Sequence, residues 1–220
     1  MERSTAAPRD FYDEEYHYQE DIEQPNFPRL RRAMRHLGNM AGATFLDLGA
    51  GVGWATHLAL RERSATLGIA LDFSLRPLQL GKQHVTGATW VQADGTALPL
   101  ADASVDRAFS FGSLEHFPSV RAGFEELFRV LRPGGLAVVV VPNFYIRTGQ
   151  PLEFRATRSG WAGEMRSAGF EIVRVGGDHG PAILKNRRPL RMLLRIALRI
   201  ISAVPPLRYQ FAFVLQRPLR

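Results

Sequence analysis

Three glycines alternate with other residues at Gly49, Gly51 and Gly53, and the acid Asp47 precedes the first of them by two positions. The apolar stretch before them predicts a strand, and the pattern after them predicts a helix. At a strand-to-helix turn, glycine adopts backbone conformations closed to other residues and lets the backbone approach a ligand. The turn therefore indicates a site for a nucleotide-type cofactor, and neighbouring acids decide which cofactor it holds.

The spacing of the glycines argues against a dinucleotide site. The dinucleotide-binding pattern GxGxxG requires a third glycine at position 54, where this chain has Trp54. Two further acids, Asp72 and Asp94, instead close the next two segments that are predicted to be strands.

The combined pattern resembles the class I S-adenosylmethionine-dependent methyltransferases. The sequence Asp-x-Gly-x-Gly-x-Gly from Asp47 to Gly53 resembles motif I of that family. By this resemblance, Asp72 matches the acid that binds both ribose hydroxyls, and Asp94 matches the acid that accepts from the adenine amino group. Similar segments occur further along the chain at the spacings of the family: Ala97–Asp106, Phe109–Phe117, Val130–Leu136 and Ala168–Glu171.

The resemblance implies S-adenosyl-L-methionine as the cofactor and a Rossmann-like α/β fold. It implies a seven-stranded, mostly parallel sheet in the order 3-2-1-4-5-7-6, with strand seven antiparallel and helices on both faces. Within the family, the pattern is closest to a small-molecule group that includes quinone-biosynthesis and natural-product methyltransferases. The cofactor-binding residues expected on this basis are Asp47, Gly49, Ala50, Gly51, Gly53, Asp72, Phe73, Asp94, Gly95 and Phe111.

Glu115 and His116 come after the predicted fourth strand, at the carboxyl edge where open α/β sheets bind ligands. Imidazole titrates near neutral pH, so His116 is the candidate for a general base or an acceptor-orienting group, and Glu115 for a second substrate contact. The alternative is that His116 forms a polar pocket wall or a helix cap and transfers no proton.

The residues at the end of the fourth strand constrain the acceptor. Members that methylate amino groups of nucleobases or of glutamine usually carry Asn/Asp-Pro-Pro-aromatic there, whereas this chain has Ser110-Phe111-Gly112-Ser113, which argues against such acceptors. No His, Asp or Glu cluster at metal-ligand spacing stands out, so no metal is expected. These features favour an oxygen or carbon acceptor on a small or lipid-like molecule.

Strand-like and helix-like segments alternate along the chain, which predicts a mostly parallel sheet flanked by helices. The predicted strands are Thr44–Leu48, Thr66–Leu71, Ala88–Ala93, Val105–Phe111, Leu136–Val141, Phe170–Val175 and Tyr209–Leu215. The predicted helices are Phe27–Leu37, Trp54–Glu62, Ser74–His84, Val120–Leu131 and Ser159–Ala168, with Ser74 as an N-cap and Pro133–Gly135 as a helix-ending turn. With 220 residues, of which 45% are hydrophobic, we expect one main domain at 41–220.

We expect residues 1–40 to form a lid or helical arm before that domain. Aromatic and acidic residues in this position often fold over the cofactor in the family, and a closing segment excludes water from the reacting centre. Tyr12, Tyr16 and His17 are therefore expected at the substrate site, with Tyr12 and Tyr16 as substrate contacts. The alternative is a solvated arm.

The net charge of +7 is concentrated near the end of the chain, where residues 181–220 contain basic side chains and no acidic ones. In residues 186–204, the spacing of arginines and aliphatic residues predicts a basic amphipathic helix inserted between strands six and seven. It either lies on an anionic membrane, packs on its own domain or forms a dimer contact.

Nucleic acid is a less favoured partner for this basic segment, since its arginines alternate with aliphatic rather than aromatic residues. An RNA methyltransferase and a cofactor-binding protein without catalysis are the alternative functions. The absence of cysteine, of a signal-peptide pattern and of a long apolar run leads us to expect a cytoplasmic protein, with a membrane-peripheral position as the variant.

Overall fold

A computed structural model describes residues 10–15, 18, 27–147, 149–178 and 209–219. The expected sites at Tyr16, at His17 and at 186–204 lie outside these ranges. The strands are β1 (Thr44–Leu48), β2 (Leu67–Asp72), β3 (Ala88–Gln92), β4 (Val105–Phe111), β5 (Leu131–Pro142), β6 (Glu171–Asp178) and β7 (Gln210–Gln216). The helices are α1 (Phe27–Met34), α2 (Trp54–Glu62), α3 (Leu75–Gly81), α4 (Val120–Val130) and α5 (Arg158–Ser167).

The strands form one sheet in the order β3-β2-β1-β4-β5-β7-β6, which confirms the predicted order. All pairs from β3 to β5 are parallel, and β7 pairs antiparallel with β5 and β6. Parallel pairing places the carboxyl ends of β1 to β5 at one edge, so the residues directly after these strands lie together there.

Side chains alternate between the two faces of the sheet, as the period of a strand requires. On one face, Leu46 of β1 and Val139 of β5 pack under α4 and α5, whose Phe124 and Trp161 are fully buried. On the other face, Phe45, Val138 and Val140 pack with residues of α1 and α2. Both faces are covered, which explains the almost unbroken apolar sequence of β5.

The prediction for the start of β5 was wrong in its bounds. The helix ends at Val130, and β5 begins at Leu131, whereas the sequence predicted a helix to Leu131 and a strand from Leu136. The register against β4 shifts between Leu131 and Leu136, so Pro133–Gly135 lie in an irregularity of the strand. Backbone bonds with Arg217 hold this stretch, since the N–H of Gly134 donates to Arg217 O and the N–H of Arg217 donates to Gly135 O.

Helix α1 is shorter than predicted, because the chain tightens into a 3-10 turn at Arg35–Leu37. Helix α3 ends at Gly81, three residues before the predicted His84. Among the described residues, no helix has the length and hydropathy needed to cross a membrane.

Candidate cofactor and acceptor site

The glycine turn after β1 requires glycine for two different reasons. Gly49, Gly51 and Gly53 have φ angles of 74°, 53° and 78°, which side chains rarely adopt. A Cβ atom on Gly49 would also lie 1.7 Å from Ser113 Oγ, so this glycine lets the β4 exit approach the turn. A Cβ on Gly51 would meet nothing within 4 Å. The turn therefore packs against the chain at Gly49 and is open, with space beside the backbone, at Gly51.

Asp47 lies beneath this turn, only 3% exposed. Its Oδ2 accepts hydrogen bonds from the backbone N–H and the hydroxyl of Thr56, each at 3.0 Å. Burial raises the pKa of Asp47 to about 7, although these hydrogen bonds oppose the shift. The carboxyl thus ties the first turn of α2 to the end of β1. Sequence reasoning placed Asp47 at the cofactor but missed Thr56, its partner in the structure.

Asp72, at the end of β2, joins two of the elements that surround the turn. Its Oδ2 accepts from the N–H of Gly51 at 2.8 Å, and its Oδ1 accepts from the N–H of Ser74 at 3.0 Å. Burial raises the pKa of this carboxyl. Each oxygen has a second lone pair, so the group can accept further hydrogen bonds from a ligand. Phe73, half-buried, is the next residue.

Asp94 comes after β3, the next strand of the sheet. Its Oδ1 accepts from both the N–H and the hydroxyl of Thr96, each at 2.8 Å. These two bonds fix the carboxyl within a tight turn, and both of them use Oδ1 rather than Oδ2. A Cβ on the neighbouring Gly95 would lie 2.2 Å from the ring of Phe117, so the β3 and β4 exits pack together here. Thr96 and Phe117 were not among the predicted site residues.

The exit of β4 carries Phe111, half-buried, and then Gly112 with φ of 65°. The 3-10 turn Leu114–His116 comes next, and in it Glu115 is 2% exposed. Within the described residues, Glu115 Oε2 has no hydrogen-bond partner. Burial, the largest cause, and the nearby negative charge of Glu153 raise the pKa of Glu115 to about 8. A pKa near this value favours the protonated acid at neutral pH, and Oε2 has hydrogen-bonding capacity that the described residues do not use.

His116 is held in one orientation by its Nδ1, which lies 2.9 Å from Pro151 O. A carbonyl oxygen only accepts, so Nδ1 carries the proton of this bond. Burial lowers the pKa of His116, which makes the neutral ring the main form at pH 7. The neutral ring therefore presents an unprotonated Nε2, which is the form that a general base needs.

The arm brings one predicted substrate residue to this position. The ring of Tyr12 lies 6.1 Å from that of His116, centroid to centroid, and its hydroxyl donates to Gln150 Oε1 at 3.1 Å. Asp13 Oδ1 accepts from the N–H of Arg76 at 3.1 Å and from the hydroxyl of Ser74. The single turn Phe11–Glu15 thus contacts both the Asp72 side and the His116 side of the site.

The carboxyl edge therefore brings together the glycine turn, Asp72, Asp94, Glu115, His116 and Tyr12. In the part of the chain that the structure describes, no three His, Asp or Glu side chains converge as a metal site would require.

Comparison with known proteins agrees with this architecture. Residues 46–139 match the model of a family described as a methyltransferase domain. An uncharacterized methyltransferase of Mycobacterium sp. (strain KMS) is 39% identical over 98 residues, which are 44% of this chain and 38% of that protein. The demethylmenaquinone methyltransferase of Clavibacter sepedonicus is 37% identical over 130 residues, 56% of this chain and 52% of that protein.

The matched stretch thus covers about half or less of the length of these relatives. A solved S-adenosylmethionine-dependent methyltransferase from Mesorhizobium loti superposes with a TM-score of 0.67 at 20% identity, covering 87% of this chain and 97% of that one. That likeness concerns the fold. Together with the strand order, the family match indicates that residues 46–139 are similar to methyltransferase domains with a Rossmann-like fold.

Proposed function

We propose that this protein transfers a methyl group from S-adenosyl-L-methionine to an oxygen or carbon atom of a small or lipid-like acceptor. The observation that carries the proposal is the meeting, at one sheet edge, of the glycine turn, Asp72 and Asp94 with His116 and the buried Glu115, whose pKa values favour the neutral forms. The first set suits the donor, and the second suits an acceptor that must be oriented and lose a proton.

The donor side has a group for each part of the cofactor. Asp72 would accept from the ribose hydroxyls, and Asp94 would accept from the adenine amino group through Oδ2, with Phe73, Gly95 and Phe111 as neighbouring walls. Gly51, the open point of the glycine turn, would face the methionine end. When bound, the cofactor supplies an electrophilic methyl group on a positively charged sulfonium.

On the acceptor side, His116 Nε2 would take the proton that the acceptor loses and later release it to solvent. Glu115, in its protonated form, would donate a hydrogen bond from its carboxyl group to a second polar atom of the acceptor. Tyr12 would close the pocket above the His116 ring. Positioning of a nucleophile in a dry pocket supplies much of the rate enhancement that such a transfer needs.

The acceptor class is supported by two independent features. Residues Ser110–Ser113 lack the prolines typical of amino-methylating members. The Clavibacter relative is named for a quinone precursor, demethylmenaquinone, which is both lipid-like and a carbon acceptor. RNA methylation and cofactor binding without catalysis are the competing functions.

We also propose that residues 186–204 contact an anionic membrane. The segment contains Arg187, Arg188, Arg191, Arg195 and Arg199 and no acidic residue. Pro142 and Asp178 are both register partners of Gln210, so the chain between Asp178 and Tyr209 leaves and returns at the acceptor edge of the sheet. Anionic headgroups would attract these arginines there. Deleting residues 188–201 should reduce the fraction of protein that sediments with anionic vesicles; undiminished sedimentation would refute this contact.

The donor half of the proposal is tested by calorimetric titration with S-adenosylmethionine and its demethylated product. Asp72→Ala should weaken both affinities by about tenfold to a hundredfold, because hydrogen bonds to a charged group contribute about 1.5–3 kcal/mol. Glu171→Ala is the matched control, an exposed acid at the start of β6. Equal affinity in both variants, or no binding by the unmodified chain, would refute the assignment.

A further inference from the structure

We propose that the loop between β5 and α5 inserts into the surface of an anionic lipid bilayer and holds the acceptor edge against it. The part of this loop that would insert consists of Phe144, Tyr145, Leu152 and Phe154, which we call the aromatic rim. These residues are distinct in sequence from residues 186–204. The inference rests on the proposed function in one respect, since it would make a membrane-resident lipid the acceptor of that reaction.

The aromatic rim concentrates exposed apolar area. Its four side chains are 51%, 42%, 46% and 37% exposed. The other exposed large hydrophobic side chains of the described ranges are single residues on separate elements: Leu67, Leu75, Val173 and Leu219. These four side chains share one loop, and the rings of Phe144 and Tyr145 lie 5.7 Å apart, centroid to centroid. Exposed apolar side chains grouped in this way mark a candidate interaction surface, whereas scattered apolar residues need no partner.

The charges around the rim indicate which partner it meets. Arg147, Arg155 and Arg158 are exposed on the same loop or at its end. The one acid between them, Glu153, is half-buried and acts electrostatically on Glu115 and His116. Aromatic side chains flanked by arginines match the two layers of a membrane interface, where rings enter the acyl boundary and arginines meet anionic headgroups.

The backbone of the same loop forms one wall of the acceptor site. Pro151 O accepts from His116 Nδ1 at 2.9 Å, and the N–H of Phe154 donates to Glu115 O at 2.7 Å. Between them, Leu152 is 46% exposed and has a φ of 55°, a conformation that costs a bulky side chain free energy. A bilayer that covered Leu152 would therefore lie within two residues of the groups that hold His116 and Glu115.

Binding to a bilayer can be measured without cofactor or acceptor. The experiment can therefore refute this inference without refuting the proposed methyl transfer, and the reverse. The experiment is co-sedimentation of the full chain with vesicles of phosphatidylcholine alone and with vesicles containing equal parts of phosphatidylglycerol. Phe144→Ser combined with Tyr145→Ser removes the two outermost rings. Leu67→Ser combined with Val173→Ser is the control, since it removes exposed apolar groups elsewhere.

The rim variant should bind the anionic vesicles about tenfold more weakly than the unmodified chain, because two apolar side chains lose their burial. The control should bind as the unmodified chain does, and the rim variant should keep its affinity for S-adenosylmethionine. Residual anionic binding should survive deletion of residues 188–201 and disappear when the deletion is combined with the rim substitutions.

Three results would overturn the inference. One is equal vesicle binding by the rim variant and the control. Another is a dimer of the unmodified chain that the rim substitutions dissociate in sedimentation velocity, since the rim would then bind a second copy. The last concerns Tyr145→Trp, which places a fluorescent reporter at the rim. If its emission does not shift to shorter wavelength when anionic vesicles are added, the rim does not enter the bilayer.

Discussion

The two buried acids Asp47 and Glu115 differ in the hydrogen bonds that their carboxyl groups accept. Asp47 and Glu115 are both buried, and burial raises their pKa values to about 7 and about 8. Asp47 has two hydrogen-bond donors from Thr56, whereas Glu115 Oε2 has none in the described part of the chain. An unpaired buried group costs free energy, and such a cost is typical of a group reserved for a ligand.

Glu115→Gln should change how stability depends on pH. The pKa of Glu115 is about 8 in the folded protein, above its usual 4.5, so the folded state binds more protons between these values. Stability of the unmodified protein should therefore fall as pH rises through this window, by up to about 1.4 kcal/mol per pH unit from this group.

Urea unfolding at several pH values measures this effect. The difference in unfolding free energy between Glu115→Gln and the unmodified protein should grow in favour of the variant from about pH 5 to about pH 8. Glu171→Gln, at an exposed position, should run parallel to the unmodified protein. Parallel curves for Glu115→Gln as well would show that Glu115 is ionised in the folded state.

Gly49 and Gly51 should respond differently to a methyl group. Gly49→Ala places Cβ within 1.7 Å of Ser113 Oγ at a positive φ and should cost about 3 kcal/mol or more. Gly51→Ala meets only the conformational cost, about 1–2 kcal/mol. Thermal unfolding should rank the two variants in this order, and Ser113→Gly should restore part of the loss in Gly49→Ala. Equal losses, or no rescue, would contradict the close approach of Ser113.

At the scale of elements, the sequence predicted what local pattern determines. The sheet and the edge proposed to bind the cofactor could be predicted from three local patterns: the apolar run of β5, the glycine turn and the acids at the strand ends. The sequence did not predict partners brought together by packing, such as Thr56 under Asp47, Phe117 against Gly95, and Pro151 on His116. It also misplaced the start of β5, because the bonds of Gly134 and Gly135 to Arg217 come from far along the chain.

The arm and α3 form another such long-range pair. Ser74 occupies the predicted N-cap position, but its side chain makes no capping bond, and Asp13 of the arm accepts from the N–H of Arg76 instead. Asp13→Ala should therefore lower the free energy of unfolding by about 1 kcal/mol, the usual cost of losing an N-cap.

Asp13→Ala should also weaken S-adenosylmethionine binding, because the arm then loses its anchor beside Asp72. Asp10→Ala, a neighbouring exposed acid, is the control for charge alone. Thermal unfolding and calorimetry on both variants measure the two effects. Identical behaviour of the two variants would show that the contact of Asp13 with α3 contributes nothing.

At the scale of the whole molecule, one sheet edge carries the candidate donor site, the candidate acceptor site and the aromatic rim. The strand order dictates this arrangement, since β1 to β5 are parallel and their loops leave on the same side. The segment between β6 and β7 leaves at this edge too. A lipid-like acceptor would therefore meet the cofactor at the edge where we propose contact with a bilayer.

The most direct test of methyl transfer to a lipid-like acceptor is to trace an isotope-labelled methyl group from S-adenosylmethionine. The purified chain is incubated with the labelled donor, anionic vesicles and either demethylmenaquinone, an organic-solvent extract of the source cells, or tRNA. We predict label in the organic phase, reduced in Asp72→Ala at a donor concentration near its dissociation constant and strongly reduced in His116→Ala. Label recovered only in tRNA, or donor binding with no transfer to the quinone or to any extracted molecule, would contradict the proposed reaction.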